Sequence, residues 1–351
     1  MCILSIRDGL VYCYDDFYFG ILYSVPFDNV LPSENLTLRG LALQFVITVL
    51  AGGTGSIKLI RGLVSQGCEI SVVSNVADNF WLYGLYICPD IDTVIYGLAD
   101  LLDPIRGWGI RGDTFECLKQ IQTLREPAWF KIGDKDLATH ILRTAMLKNG
   151  KSLSFITEFM RQRFAILARI LPATDDAVET RILTNKGEMH LQEFWVKNQA
   201  KPAISGIRYE GIGEAESNPK VISAIKNSKL VIVAPGNPVT SIGPILAING
   251  IKETLTEERE KIIAVSPIIA GTAISGPAVK YMQAIQIEPS AFGVAEFYYQ
   301  IASNFVISKG DMDSARRISK LGTRVHQTNI VMQTAEDEQR LAAFLLNLQL
   351  G

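Results

Sequence analysis

Short apolar runs alternate with amphipathic stretches along most of the chain, and each run gives way to Gly, Pro or hydroxyl residues. Residues 45–50 form the first run, followed by a Gly-rich loop at 52–56 and a helical pattern near 57–66. A second strand is expected at 69–74, then a loop at 75–84. Asp92 opens a helix at 93–102, with Val94, Ile95, Leu98, Leu101 and Leu102 apolar. Such β-α-β-α alternation predicts a parallel sheet. The middle is more helical: 136–147 places Leu137, Ile141, Leu142 and Ala145 on one face, and 152–164 follows. A β-rich piece at 168–196 carries a hairpin signal at Asn185-Lys186-Gly187. The rhythm resumes with helix 219–228, Pro219 at its first position, and strand 230–234. Helix 251–260, strand 262–265 and helices 276–284 and 290–302 come next. Strand 305–308, helix 311–320, strand 324–327 and helix 335–348 complete the pattern. The last helix opens on Thr334-x-x-Asp337, a weaker analogue of a capping box. The expected fold is α/β, Rossmann-like and doubly wound, with a mainly parallel sheet. One domain spans 45–351, and a helical and β insertion at roughly 107–215 caps the active site. Residues 1–44 are aromatic-rich and aperiodic and read as an extension. Alternation over 18–25 suggests a strand or hairpin there, and a misassigned start codon is the competing reading.

Composition raises the question of a membrane. Of 351 residues 48% are apolar and only 20% charged, and mean hydropathy is +0.19. Residues 40–57, 230–251 and 262–279 contain no charge, close to the 20 residues or so of a membrane span. Each, however, breaks into Gly, Pro, Ser and Thr after a few apolar residues, backbone that hydrocarbon would leave unpaired. Buried parallel strands with loops at their C-terminal ends explain these runs better. A net charge of −2 gives no basic field for nucleic acid. Five cysteines without a C-x-x-C spacing fit a reducing compartment, and a cytoplasmic protein is expected.

Three places carry candidate chemistry. Gly52-Gly53-Thr54-Gly55-Ser56 lets backbone approach a phosphate at a helix N-terminus, with Lys58 adding charge. It matches neither G-x-x-x-x-G-K-[ST] nor G-x-G-x-x-G. Asn75, Asp78 and Asp92 end or follow adjacent strands, a placement that suits Mg²⁺ shared with phosphate oxygens. Asp92 is also a good N-cap, and the two roles are compatible. Pro235-Gly236-Asn237-Pro238-Val239-Thr240-Ser241-Ile242-Gly243-Pro244 follows a buried strand and suits an anionic ligand laid across the sheet edge. The loops at 108–114 and 131–136 read as solvated turns and caps, and Asp136–His140 as a structural i, i+4 pair. His190 and His326 read as strand residues.

These motifs occur in order with others: Asn75 with Asp78 and Trp81, Pro89-Asp90-Ile91-Asp92-Thr93, Trp108-Gly109, Asp113-Thr114-Phe115 and Lys131-x-Gly133-Asp134-x-Asp136-x-Ala138-Thr139-His140. Leu171-Pro172, Gln192-x-Phe194-Trp195, Val265-Ser266-Pro267-Ile268 and Gly276-Pro277-Ala278 continue the series. From about Val46 onward the chain resembles the 2-phospho-L-lactate transferase family of coenzyme F-420 biosynthesis. The resemblance implies transfer of a phospholactyl or phosphoenolpyruvyl group from a guanosine-diphosphate-activated donor to the deazaflavin Fo, with GMP released and Mg²⁺ required. It implies that Asp92 and Lys131 contact the deazaflavin. It also implies that Gly52, Gly53, Thr54 and Gly55, with Asn237, Pro238, Thr240, Ser241 and Gly243, hold the guanosine phosphates. The catalytic expectations are then Asp78 and Asp92 at the metal, Asp92 as candidate base, and Lys58 on the leaving phosphate. Asn79 departs from the family, which commonly has a second acid there, and puts a second metal in doubt. Small-molecule substrates and a homodimer are expected. The competing readings are a non-catalytic nucleotide-sugar-binding regulator of the same superfamily and a dinucleotide dehydrogenase, the latter disfavoured by the missing third Gly.

Overall fold

The computed structural model describes residues 46–348 except residue 275, together with two strands near the N-terminus. The chain separates into two units, Met1–Leu43 and Gln44–Gly351. In the first, Ile3–Arg7 pairs antiparallel with Leu10–Tyr14. The strand expected at 18–25 lies outside the described residues.

Seven parallel strands organise the second unit. Numbered along the chain they are β1 Val46–Ala51, β2 Glu69–Ser74, β3 Arg169–Pro172, β4 Leu230–Val233, β5 Ile262–Val265, β6 Asn304–Ser308 and β7 Arg324–Thr328. Their order is β7-β6-β5-β4-β1-β2-β3, so the strand order reverses between β1 and β4. Every pairing is parallel, and all C-terminal ends share one edge. The period-2 side-chain rule divides the apolar residues between two cores. Ile47, Val49, Val72, Ile232 and Ile263 pack on one face with α1 (Thr54–Ser65) and α2 (Pro89–Leu98). Leu50, Val73, Val231, Val233 and Ala264 pack on the other with the helix Pro219–Asn227. The three uncharged runs of the sequence therefore begin as β1, β4 and β5. Among the described residues no helix is long and apolar enough to cross a membrane.

The region expected to cap the sheet is interrupted by the sheet itself. Its residues 169–172 are β3, the edge strand beside β2. Before β3 stand three helices: α3 Glu116–Thr123, α4 Asp134–Lys148 and α5 Leu153–Arg163. After it comes an antiparallel sheet of Glu179–Thr184, Gly187–His190 and Ile204–Glu210, with the expected hairpin closed by Thr184 opposite Gly187. Part of the stretch expected to be a loop at 75–84 enters a hairpin, Phe80–Leu82 with Leu85–Ile87. Part of the expected β-rich piece is a π-helical turn, Glu193–Lys197. The final helix, Ala335–Leu346, has a complete capping box at Thr334 and Asp337.

Candidate active site

The crevice lies where β1 and β4 part at their C-terminal ends, the usual ligand position in such sheets. Gly53 has φ +74°, open to glycine at little cost, and starts α1 without a side-chain cap. The two loops interlock closely. A Cβ on Gly236 would stand 2.8 Å from the Gly52 carbonyl oxygen, and one on Gly52 would stand 2.6 Å from Ser241 Cβ.

The Pro-rich segment after β4 is mostly helical rather than a loop. Asn237 accepts N–H bonds from Val239 (2.9 Å) and Thr240 (3.3 Å) and caps a π-turn, Pro238–Ile242, that continues into Gly243–Ala247. Pro244 has no N–H to offer the carbonyl four residues back. That carbonyl, on Thr240, instead accepts Asn75 Nδ2 at 3.3 Å. The proline thus leaves a helical carbonyl for the site to use.

Asn75 Nδ2 also donates to Asp78 Oδ1 at 3.0 Å and Asp90 Oδ2 at 2.8 Å. Its Oδ1 accepts the Ala77 N–H, and its amide nitrogen spaces the two carboxylates. Asp90 Oδ1 accepts the Gly53 N–H at 2.7 Å, placing a protein carboxylate at the mouth of the glycine loop. Gln192 Nε2 reaches Asp78 Oδ2 at 3.3 Å. Both acids are buried. Burial, and then the Asp90 charge, push Asp78 well above the usual carboxylate range, more than the Asn75 and Gln192 bonds offset. Burial raises Asp90 as well, against the Gly53 and Asn75 bonds. Two buried carboxyls that resist joint ionisation at the start of α1 are a donor set that fits a divalent cation.

Asp92, the expected partner of Asp78, is engaged elsewhere. It lies in the first turn of α2, whose N-cap is Cys88, so it is not the N-cap. Arg143 of α4 grips it with both terminal nitrogens, Nη1 to Oδ2 at 3.0 Å and Nη2 to Oδ1. Arg143 is 1% exposed. Burial disfavours its charge, but Asp92 outweighs this and raises its pKa. His140 Nε2 lies 3.3 Å from Asp136, which also accepts the Tyr96 hydroxyl at 2.6 Å. Burial opposes ionisation of Asp136, yet His140 and Tyr96 hold its carboxyl below the ordinary range. Asp92, Asp136 and His140 approach metal-ligand geometry. The guanidinium already neutralises Asp92 there and would repel a divalent ion.

Lys58 also points elsewhere than expected, its ammonium donating to the Met332 carbonyl at 2.8 Å. Asn79 is buried, and neither carboxamide atom has a hydrogen-bond partner among the described residues. His190 stacks on Phe80, centroids 5.3 Å apart, and burial drives its pKa down to about 4, so it stays neutral. His326 sits in β7 as a strand residue.

A pocket of about 270 Å³ is lined by Arg106, Trp108, Phe115, Leu118, Lys119 and Lys131, among others. The Arg106 guanidinium lies 5.1 Å from both the Trp108 and Phe115 ring centroids. Gly107, between the first two lining residues, approaches the Thr54 side chain of the glycine loop. The walls are fixed by exchanged caps. Asp134, in α4, accepts the Glu116 and Cys117 N–H groups of α3, and Asp113, just before α3, accepts those of Lys135 and Asp136 in α4. The Thr114 hydroxyl, with those α3 N–H groups, holds Asp134 below the carboxylate range. The expectation that these loops serve as turns and caps agrees with this arrangement.

Asp90 and Gln192 were not singled out as site residues, although both stood in quoted motifs. In sequence, Asp90 and Asp92 are two residues apart at a helix start, and helical positions i and i+2 face different ways. Nothing in residue type says which of them faces the glycine loop.

A family model described as 2-phospho-L-lactate transferase CofD matches residues 47–342. A 2-phospho-L-lactate transferase from Methanosarcina acetivorans is 40% identical over 302 residues, covering 86% of this chain and 98% of that protein. One from Methanocaldococcus jannaschii is 42% identical over 304 residues, covering 85% and 96%. A phosphoenolpyruvate transferase from Mycolicibacterium smegmatis is 39% identical over 270 residues, covering 72% and 83%. Among solved structures, protein BH3568 from Bacillus halodurans shares the fold with a TM-score of 0.56 at 17% identity, over 87% of this chain and 100% of that one.

Proposed function

Because the chain belongs to the 2-phospho-L-lactate transferase CofD family, we propose that it transfers a 2-phospholactyl or phosphoenolpyruvyl group from a guanosine-diphosphate-linked donor to Fo, releasing GMP. The observation that carries this reading is the buried Asp78–Asp90 pair at the mouth of the glycine loop, close to an aromatic pocket with a cationic rim. In the proposal Asp78 and Asp90 hold Mg²⁺, which when bound neutralises charge on the diphosphate. The Thr54 and Gly55 N–H groups and the Asn237-capped turn with Thr240 and Ser241 orient the donor phosphates, while the Gly53 N–H stays on Asp90. The planar deazaflavin lies in the pocket lined by Trp108 and Phe115 with the Arg106 guanidinium over both rings, and Lys131 meets its polar edge. Positioning of the ribityl hydroxyl against phosphorus supplies most of the rate. Asp92 acts through Arg143 as a strut between α2 and α4 and not as the base.

Incubation with Fo, Mg²⁺ and each guanosine-linked donor, followed by mass spectrometry, tests the proposal. A mass gain on Fo from the lactyl or the enolpyruvyl donor supports it and identifies the donor. No gain with any donor, together with tight UDP-sugar binding, would establish the regulator reading instead.

A further inference from the structure

At the C-terminal edge of the sheet Ser74 Oγ, both carboxamide atoms of Asn79 and Asp311 Oδ2 are buried without a partner, and of these Asp311 is the acid. Asp311 follows β6 and stands at the N-cap position of the helix Met312–Ser319, with no capping bond from its side chain. It is 9% exposed. Its Oδ1 accepts the Ala270 N–H at 2.9 Å, in the turn of the hairpin Ile268–Ile269 with Thr272–Ala273 that follows β5. Its Oδ2 is buried and makes no hydrogen bond. A buried carboxylate oxygen without a donor is costly, and in a native fold it calls for an explanation such as an absent ligand.

The place of Asp311 in the sheet suggests which ligand. β6 ends on the same edge as β1 and β4 and lies two strands from β4, about 10 Å at the usual strand spacing. A nucleotide whose phosphates sit between the glycine loop and the Asn237 turn, and which runs along the strand ends, brings its base to Asp311 and the hairpin. A carboxylate oxygen can only accept. It therefore suits a base edge with adjacent donors. Guanine presents N1–H beside its 2-amino group, whereas adenine presents an N1 lone pair and uracil flanks its N3–H with carbonyls. We infer that Asp311 is the specificity-determining residue for the donor nucleotide, its Oδ2 accepting the guanine N1–H and 2-amino hydrogens. This rests on the guanosine-linked donor proposed above.

Calorimetry on the full chain with Mg²⁺ tests it, using the diphosphates of guanosine, inosine, xanthosine and adenosine against wild type and Asp311→Asn. The asparagine keeps an oxygen for Ala270 N–H and replaces the unpaired oxygen by NH₂. Wild type should prefer guanosine over inosine diphosphate by about tenfold and over the other two by about 100-fold. Asp311→Asn should weaken guanosine diphosphate by about 30-fold and strengthen xanthosine diphosphate, whose C2 carries an oxygen. General loss of structure would weaken both ligands, so the inversion isolates base reading. Equal guanosine diphosphate affinity in the two proteins, or parallel loss of both ligands, overturns the inference while leaving the donor reading in place. Failure of wild type to bind any of the four overturns the donor reading and the inference with it.

Discussion

Two aspartates in one helical turn have opposite surroundings. Asp92 is buried against a guanidinium that neutralises it permanently. Asp90, two residues earlier and equally buried, faces a second carboxyl with only an amide between them. Burying a charge is tolerable once it is paired and hydrogen-bonded. The Asp92 side carries its own cation and needs nothing further. Among the described residues no cation pairs with the Asp90 side, and in the proposed function that deficit is where Mg²⁺ would sit. Buried acids therefore point to a site by what they lack more than by their number.

The comparison is most severely tested by removing the deficit. Asp78→Asn and Asp90→Asn should each lower kcat by about 1000-fold, several kcal/mol of charge stabilisation, in steady-state assays with Mg²⁺. The thermal midpoint should stay level or rise, because repulsion is relieved. Near-wild-type turnover in either variant would move the cation elsewhere. Arg143→Met should act on stability instead, with about 3–5 kcal/mol lost in denaturant unfolding as Asp92 is left unpaired. Adding Asp92→Asn should recover most of that loss, and no recovery would show that Arg143 acts mainly through other contacts. Titration sharpens the contrast. Both Asp78 and Asp90 are raised on folding, so their contribution to the metal-free protein is full at low pH and lost as pH rises through the raised values. Mg²⁺ displaces the retained proton, so its stabilising shift should grow from pH 5 to 8, by at most about 1.4 kcal/mol per pH unit for one proton. A shift independent of pH would mean that the ion binds elsewhere. Lys131→Ala should raise KM for Fo about tenfold with kcat nearly unchanged. Lys58→Ala should cost about 1 kcal/mol of stability or less and leave kcat alone; a large drop in kcat would return Lys58 to the chemistry.

What the chain disclosed of itself follows the physics of each part. β1, β4 and β5 were legible because a strand buried on both faces must be a short, unbroken apolar run. β3 was harder to place, since Arg169-Ile170-Leu171-Pro172 looks alike in a ribbon or at a sheet edge, and only its pairing with β2 decides. The helix Glu116–Thr123 buries only Leu118 and so left little periodicity to read. The segment after Asn237 looked like a loop because Pro238, Gly243 and Pro244 are helix breakers by type, yet Pro238 opens the π-turn Pro238–Ile242 and Pro244 lies in the first turn of Gly243–Ala247. Asp78, Asn75 and both Gly- and Pro-rich loops were visible as motifs. The choice between Asp90 and Asp92 was not, because it depends on which side of α2 meets Arg143, a residue 51 positions further along the chain than Asp92.

The exchanged caps of Asp113 and Asp134 bear on motion. Each helix beside the aromatic pocket has its first amides tied to an acid outside its own first turn, so neither can fray alone without releasing the other. Opening of that wall should be a single cooperative event. The amides of Glu116, Cys117, Lys135 and Asp136 should then show one common protection against exchange of their hydrogens with solvent.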